Sequence, residues 1–285
     1  MSNPATLPPI ALLSDFGTRD AYVGTMKGVL QRECPGVPMI DLTHEIAPQN
    51  VRQAAFVLWT SYRYFPGGTV FLVVVDPGVG GRRRALAIQA GDFRFVGPDN
   101  GVFSEVLAEL RDWQAVALNE VLIAPEGLSA TFHGRDLFAP AAARLACGQP
   151  LATLGRPVTD LITLPIPALS VTPHAFSGEI IYIDHFGNAV TSIGTCRWGA
   201  DGRLTLTPRL QPDAAPITFD PTRVTLTVGG QRFTRIARTY TEVKPGSPVP
   251  LINSAGQLEI AVNQGNARQV LGLAVGDRVT VLPGP

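Results

Sequence analysis

The stretch VFLVVVDPGVGGRRRALAIQ, residues 70–89, decides how this chain is read. Val70 to Val75 are all apolar, mostly β-branched and without alternation. That is the pattern of a strand covered on both faces, as in sheets flanked by helices. The run delivers Asp76 to the carboxyl end of the strand, where open α/β sheets hold their ligands. The turn Pro77-Gly78-Val79-Gly80-Gly81 lets backbone approach a ligand closely, and Arg83 follows the aspartate by seven residues. A carboxylate and a guanidinium on one short turn make either a structural ion pair or a reactive one. The glycines do not complete a dinucleotide fingerprint, which needs a helix next. Here ALAIQ reads as a second strand, so the spacing predicts a hairpin with residues 70–76.

Working outward to the amino-terminal side, PIALLSD ends the same way, with Asp15 at the carboxyl end of an apolar run. FGTRDAYVGTMKGVLQREC then reads as a loop with Asp20 near a helix start and Val23, Met26 and Leu30 on one face. PMIDLTHEI is a strand presenting Asp41, followed by Thr43, His44 and Glu45. In NVRQAAFVLWTSYRYF, Asn50 is the expected N-cap, with Val51, Ala54, Ala55, Leu58, Tyr62 and Phe65 at helical spacing. Repeated β-α order predicts an α/β fold with a mostly parallel sheet and helices on both faces.

On the carboxyl side, FRFVG is a short strand, PDNG a turn with Asp99 and Asn100, VFSEVLAEL an amphipathic helix and AVAL another strand. SATFHGRDLFAPAAARLACG places Phe132, His133, Gly134, Arg135 and Asp136 just before an alanine-rich helix. A His-Gly pair at a helix entrance suits a polar ligand, although a lone histidine there is more often structural. Composition changes near residue 165. LPIPALSVTPHAFSG is proline-rich and reads as a linker, and beyond it GEIIYIDHFGNAVTSI, RLTLTPRL, RVTLTVGGQRFTRIARTY, LINSAGQLEIAVNQGNA and DRVTVL read as strands. Gly229-Gly230 is an expected hairpin turn. The expected domains are 1–165 (α/β), a linker at 166–177 and a smaller all-β domain at 178–285.

The chain of 285 residues is 45% apolar, enough for a sizeable core, and its formal net charge is +0. No charged field favours nucleic acid or an anionic membrane, so a small-molecule ligand is expected. The start lacks the pattern of a signal peptide and no run reaches membrane-spanning length, which predicts a cytoplasmic protein. Cys34, Cys147 and Cys196 lie far apart without metal-ligand spacing. They are expected to be separate core thiols, with neither a disulfide framework nor a bound metal.

Seven motifs, in order, resemble the S-adenosyl-L-methionine (SAM) hydroxide adenosyltransferases, the SAM hydrolases related to fluorinases and chlorinases. They are SDFGTRDAYVGTMKGV at 14–29, DLTHEIAP at 41–48, YFPGGTVFLVVVDPGVGGRRR at 64–84, VGPDNGVFS at 96–104, TFHGRDLFAP at 131–140, IDHFGN at 183–188 and NSAGQLEIAVNQGNA at 253–267. The resemblance implies an N-terminal α/β/α sandwich and a C-terminal β domain. It also implies a homotrimer whose active sites lie between the N-terminal domain of one subunit and the C-terminal domain of its neighbour. The implied reaction is hydrolysis of SAM to adenosine and L-methionine, with SAM as substrate and no cofactor. The implied catalytic set is Asp76, Arg83 and His133, with Arg83 chosen from Arg82, Arg83 and Arg84 by spacing. Asp15 is implied to accept the ribose hydroxyls, Asp184 and Asn188 to hold the methionine end with Ser254 beside them, and Phe132 to line the pocket. Either Asp76 or His133 can serve as the base that activates water. Two alternatives remain, a SAM-dependent halogenase and a non-catalytic sensor of adenosine or SAM. Halogenation is disfavoured by the charge of Asp76 and by Gly134, where fluorinases carry a serine.

Overall fold

A computed structural model describes residues 7–172, 174–208 and 215–284. The first six residues of the amino-terminal reading, Pro173 of the proline-rich stretch and the last two residues of RLTLTPRL lie outside them. The chain divides into two compact units, Met1–Leu164 and Pro165–Pro285.

In the first unit the elements run β1 (Ile10–Ser14), α1 (Tyr22–Glu33), β2 (Met39–Thr43), α2 (Val51–Ser61), β3 (Val70–Val74), β4 (Ala85–Ala90), β5 (Phe93–Pro98), α3 (Ser104–Glu109), β6 (Trp113–Leu118), α4 (Glu120–Ile123), α5 (Ala139–Ala146) and β7 (Gly155–Val158). The strands form one sheet in the order β2-β1-β3-β5-β4-β6-β7. Pairing is parallel from β2 to β5 and antiparallel from β5 to β7. Strand side chains alternate between the two faces of the sheet. Ile10, Leu12, Val70, Leu72 and Val74 pack with Met26 and Leu30 of α1 and Leu145 of α5. On the other face, Phe71 stacks on Phe95 and meets Phe65 edge-on. The Asn50 side chain caps α2 by accepting the Gln53 N–H.

Two expectations are corrected here. Residues 70–76 and 85–89 do not form a hairpin, because β5 lies between β3 and β4 and pairs with both. The antiparallel hairpin is β4 with β5, and the glycine-rich turn is part of a crossover. The local pattern showed two strands but carried no information on which strand would fill the gap. Nor are the cysteines three isolated thiols. Cys34 and Cys147 form a disulfide with Cα atoms 6.0 Å apart, and only Cys196 is free. They follow the last residues of α1 and α5, which pack side by side. A sequence separation of 113 residues hid that proximity.

The second unit contains β8 (Leu169–Thr172), β9 (Ala175–Ile183), β10 (Ala189–Trp198), β11 (Leu204–Thr207), β12 (Ile217–Phe219), β13 (Val224–Val228), β14 (Gln231–Phe233), β15 (Pro248–Ile252), β16 (Gln257–Val262), a short helix α6 (Ala267–Leu271) and β17 (Arg278–Pro283). Apart from an isolated parallel bridge between Ala237 and Leu251, its described strands pair antiparallel, following the path β12-β11-β10-β9-β17-β13-β14, with β16 beside β10, β15 beside β16 and β8 beside β9. Gly229 and Gly230 turn the β13–β14 hairpin with φ of 54° and 74°, values that favour glycine. Of the proline-rich stretch read as a linker, residues 169–172 form β8 and residues 175–178 begin β9, so these parts are paired strands rather than free connection. Proline removes a donor but is tolerated before and beside edge strands. Among the described residues no helix is long and apolar enough to cross a membrane.

Candidate active site

The carboxyl end of β3 carries the densest chemistry of the first unit. Val75 is buried, and its carbonyl accepts from the Asn100 side chain at 2.9 Å, which gives the PDNG turn a role in fixing the backbone before Asp76. Arg83 folds back over the turn to meet that carboxylate. Its Nε donates to Oδ1 at 2.9 Å and to Oδ2 at 3.1 Å, and its Nη2 also donates to Oδ2. The turn is built for this approach. A Cβ on Gly78 would lie 3.1 Å from Arg83 Cγ, and one on Gly80, at φ 73°, would lie 2.2 Å from the Ala130 carbonyl oxygen. The other arginines face elsewhere. Arg84 binds Asp99 and Asp160, while Arg82 is exposed.

His133 enters from the loop before α5, at the start of a π-helical turn over Gly134–Phe138. Arg83 Nη2 lies 2.8 Å from its Nδ1. A guanidinium only donates, so Nδ1 must accept and the proton of the neutral imidazole sits on Nε2. Burial, and then the Arg83 charge, hold His133 below the usual histidine range, against weaker opposing pulls from Asp76, Glu120 and Asp136. Asp76 and Arg83 are themselves nearly buried, with side chains 5% and 9% exposed. Arg83 Nη1 is buried with no hydrogen-bond partner among the described residues.

Asp15 leaves β1 beside this cluster, because Ser14 pairs with Val74 across the parallel β1–β3 ladder. Its Oδ2 accepts the Gln49 N–H at 2.7 Å. Phe132 meets Phe16 and Tyr22 edge-on, with centroids 5.8 and 5.2 Å apart, and Phe16 and Tyr22 are themselves 5.4 Å apart. Asp15, Asp76, Arg83, Phe132 and His133 therefore share one end of the sheet. Phe16 and Tyr22 escaped the sequence reading, since a single aromatic in a loop and another at the first position of a helix carry no periodic signal.

In the second unit, Asp184 and Asn188 close the β9–β10 turn together. Asp184 Oδ1 accepts the Asn188 backbone N–H at 2.8 Å and Oδ2 accepts its side-chain amide at 3.0 Å. Gly187, at φ 87°, has no room for a Cβ, which would sit 2.2 Å from Asn266. Ser254 is exposed on the β15–β16 turn, whose Asn253 Oδ1 accepts from the backbone of Ala255 and Gln257 at 3.0 Å each. Asn253 also donates to Glu259 at 3.2 Å, and Tyr240 donates to the same carboxylate at 2.9 Å. Glu259 is 3% exposed. Burial raises its pKa, aided by the Asp184 charge and opposed by the two hydrogen bonds. Burial, then Glu259, likewise raise that of Tyr240. Glu259 and Tyr240 were not picked out from sequence, although a lone acid in the apolar run LEIAV is the available signal.

These turns coincide with the regions matched by two family models. That of the SAM hydroxide adenosyltransferase N-terminal domain matches residues 10–155, and that of the C-terminal domain matches residues 178–280. The chain belongs to the SAM hydroxide adenosyltransferase family. It is 41% identical to an (R)-S-adenosyl-L-methionine hydrolase of Thermus thermophilus, over 96% of this chain and 99% of the relative. A fluorinase of Actinoplanes is 31% identical over 96% and 97% of the two chains. The crystal structure of an uncharacterized conserved protein from Thermotoga maritima superposes with a TM-score of 0.82 at 36% identity, covering 96% of this chain and 99% of that one.

Within this family member, the first-unit cluster offers an acceptor, Asp76, and a donor, His133 Nε2–H, joined through one guanidinium. Around Gly134 there is no spare volume. A Cβ there would meet Met26 Sδ at 3.0 Å, Phe132 Cε2 at 3.2 Å and Val74 Cγ1 at 3.3 Å.

Proposed function

We propose that this protein hydrolyses S-adenosyl-L-methionine to adenosine and L-methionine. The observation that carries the mechanism is the Asp76–Arg83–His133 chain at the end of β3. The oxygen of water bonds to the ribose 5′ carbon, the carbon–sulfur bond breaks, and its electron pair leaves with methionine as a neutral thioether. No acid has to protonate that leaving group. Attack produces a protonated 5′-hydroxyl, itself a strong acid, so the base that collects the proton can be weak. Asp76 fits this task even while bound to Arg83, because Oδ1, which receives only the Arg83 Nε–H, keeps a further acceptor site. His133 does not fit it. Its only lone pair faces Arg83, so it orients the water by donation from Nε2. Holding the water in line with the breaking bond supplies the rest of the acceleration.

In this reading Asp15 accepts the vicinal ribose hydroxyls and Phe132 lines the pocket. Asp184 receives the methionine ammonium, and Asn188 and Ser254 complete that end. SAM is the substrate, and no separate cofactor or resident metal takes part. The sugar-end residues all lie in the first unit, an α/β/α sandwich, and the amino-acid-end residues all lie in the second. A complete site needs both, and we propose a cytoplasmic homotrimer in which the first unit of one copy meets the second unit of its neighbour.

The kinship with fluorinases makes halogenation the second reading. Against it stand the Asp76 carboxylate, which repels a halide at close range, and the absence of a hydroxyl at Gly134. The test is chromatographic separation of products after incubation with SAM, with and without chloride or fluoride. Adenosine and methionine in equal amounts, indifferent to halide, are expected. A 5′-halo-adenosine would establish the halogenase, and saturable binding without product would establish a sensor.

A further inference from the structure

We infer that His44 is a positioning residue that fixes the Asp15 carboxylate, and thereby sets the preference of the site for a sugar bearing both hydroxyls. This rests on the hydrolase reading, in which Asp15 receives the ribose. His44 lies at the end of β2, beyond the sheet partner of β1, and is 4% exposed. Its Nε2 lies 3.0 Å from Asp41 Oδ1, and its Nδ1 lies 2.7 Å from Ser14 Oγ. Lys27 binds the other oxygen of Asp41 at 2.6 Å. Burial alone would raise the Asp41 pKa, but Lys27 and His44 outweigh it and hold the group below the usual range. Asp41 is therefore an acceptor, which puts a proton on His44 Nε2 and leaves Nδ1 of the neutral ring to accept from Ser14. Ser14 Oγ in turn receives the Phe16 N–H at 3.4 Å. Every bond in the chain runs one way, toward the Asp41 carboxylate.

The order Ser–His–Asp resembles a hydrolytic triad, but Ser14 is 0% exposed and meets no substrate. What the chain holds is the backbone on both sides of Asp15. Ser14 precedes it, and Phe16, which follows it, is tied to the same hydroxyl. The His44 carbonyl adds a third tie by accepting the Gly17 N–H at 2.8 Å. The loop that begins at His44 then returns to the carboxylate itself. Gln49 adopts φ 66°, a left-handed conformation uncommon for a side-chain-bearing residue, and its N–H reaches Asp15 Oδ2. One oxygen of Asp15 is thus engaged from the β2–α2 loop, which leaves Oδ1 and the remaining acceptor site of Oδ2 for two vicinal hydroxyls. A carboxylate free to rotate would bind either hydroxyl alone nearly as well. One held at both ends discriminates, because a missing hydroxyl leaves an acceptor unmatched.

The test is calorimetric binding of adenosine and 2′-deoxyadenosine to the full-length protein and to His44→Ala, His44→Asn and Ser14→Ala. The unaltered protein is expected to prefer adenosine by roughly 10- to 100-fold, the range for a hydrogen bond to a charged group. In His44→Ala and Ser14→Ala that preference falls below about fivefold. In His44→Asn, which keeps a polar atom near the Nδ1 position, it returns to within about threefold of the original. A stability defect alone would weaken both ligands together and leave the ratio untouched. If both alanine variants keep the full preference, His44 does not position Asp15 and this inference is overturned while the hydrolase reading stands. If the unaltered protein shows no preference, the ribose role of Asp15 fails and both fall. Should His44→Ala not fold, Ser14→Ala, which removes a single hydroxyl, decides the matter in the same way.

Discussion

Arg83 Nη2 donates to His133 Nδ1 across 2.8 Å, and the same guanidinium grips both oxygens of Asp76. Two titratable groups that sequence motifs made equal candidates for the base are thereby given different work. In the proposed mechanism His133 can only donate toward substrate, and Asp76 can only accept.

Acid should therefore switch the enzyme off through His133. Its folded-state pKa lies below the ordinary 6.5, first through burial and then through Arg83. Protonation would place an Nδ1–H against a guanidinium. Turnover is expected to be flat above neutrality and to fall with a midpoint below 6.5, and the limb should shift further down in His133→Gln, which has no imidazole to titrate. Stability follows the same sign. The unfolded chain takes up this proton first as pH drops, so the contribution is intact above the unfolded value and lost as pH falls through the folded one. A turnover midpoint above 6.5 would contradict the assignment.

Arginine identity matters at one of three consecutive positions. Arg83→Lys keeps the charge but loses the fork that reaches Asp76 and His133 together. It is expected to lower kcat by about 10²–10⁴-fold. Arg82→Ala should leave steady-state kinetics nearly unchanged. Asp76→Ala should, in addition to losing turnover, destabilise the fold by about 3 kcal/mol in urea unfolding, because it strands a buried guanidinium.

Gly80 joins the turn between Asp76 and Arg83 to the loop that carries His133. Its φ of 73° and the 2.2 Å approach of a Cβ to the Ala130 carbonyl make Gly80→Ala unfavourable on two grounds. A loss of about 1–3 kcal/mol is expected by denaturant titration, accompanied by reduced kcat as the loop shifts. Gly127→Ala, also at positive φ but with open space around it, should share the backbone penalty without the kinetic effect.

Gly134→Ser is not expected to create a halogenase. The new Cβ collides with Met26 and Phe132, so hydrolysis should weaken, and chromatography with chloride or fluoride present should still show no 5′-halo-adenosine while Asp76 remains.

Reduction of the Cys34–Cys147 bond should lower stability by about 2–5 kcal/mol, since it clips together α1 and α5 across a long loop. Thermal unfolding with and without dithiothreitol, compared with Cys34→Ser/Cys147→Ser, measures this. Activity well below the transition should change by less than about twofold, because Cys147 follows the last residue of α5 whereas His133 precedes its first.

The sequence alone determined what depends on near neighbours. The apolar run at 70–75 marked a buried strand, the helical spacing of Val23, Met26 and Leu30 marked the face of α1 that is buried, and Asn50 marked a cap. Each is a local preference that the next few residues settle. The ordered motifs carried the family, and the glycine-rich turn carried the closeness of Asp76 and Arg83. Only the tertiary structure decided that β5 enters between β3 and β4, that two distant helix ends are bridged by sulfur, and that Glu259 lies buried against Tyr240. It also decided which arginine meets His133, 50 residues away, and hence which nitrogen of that ring is left to act. Strand order, loop closure and tautomer depend on contacts between segments far apart in the chain, and local periodicity holds no information about them.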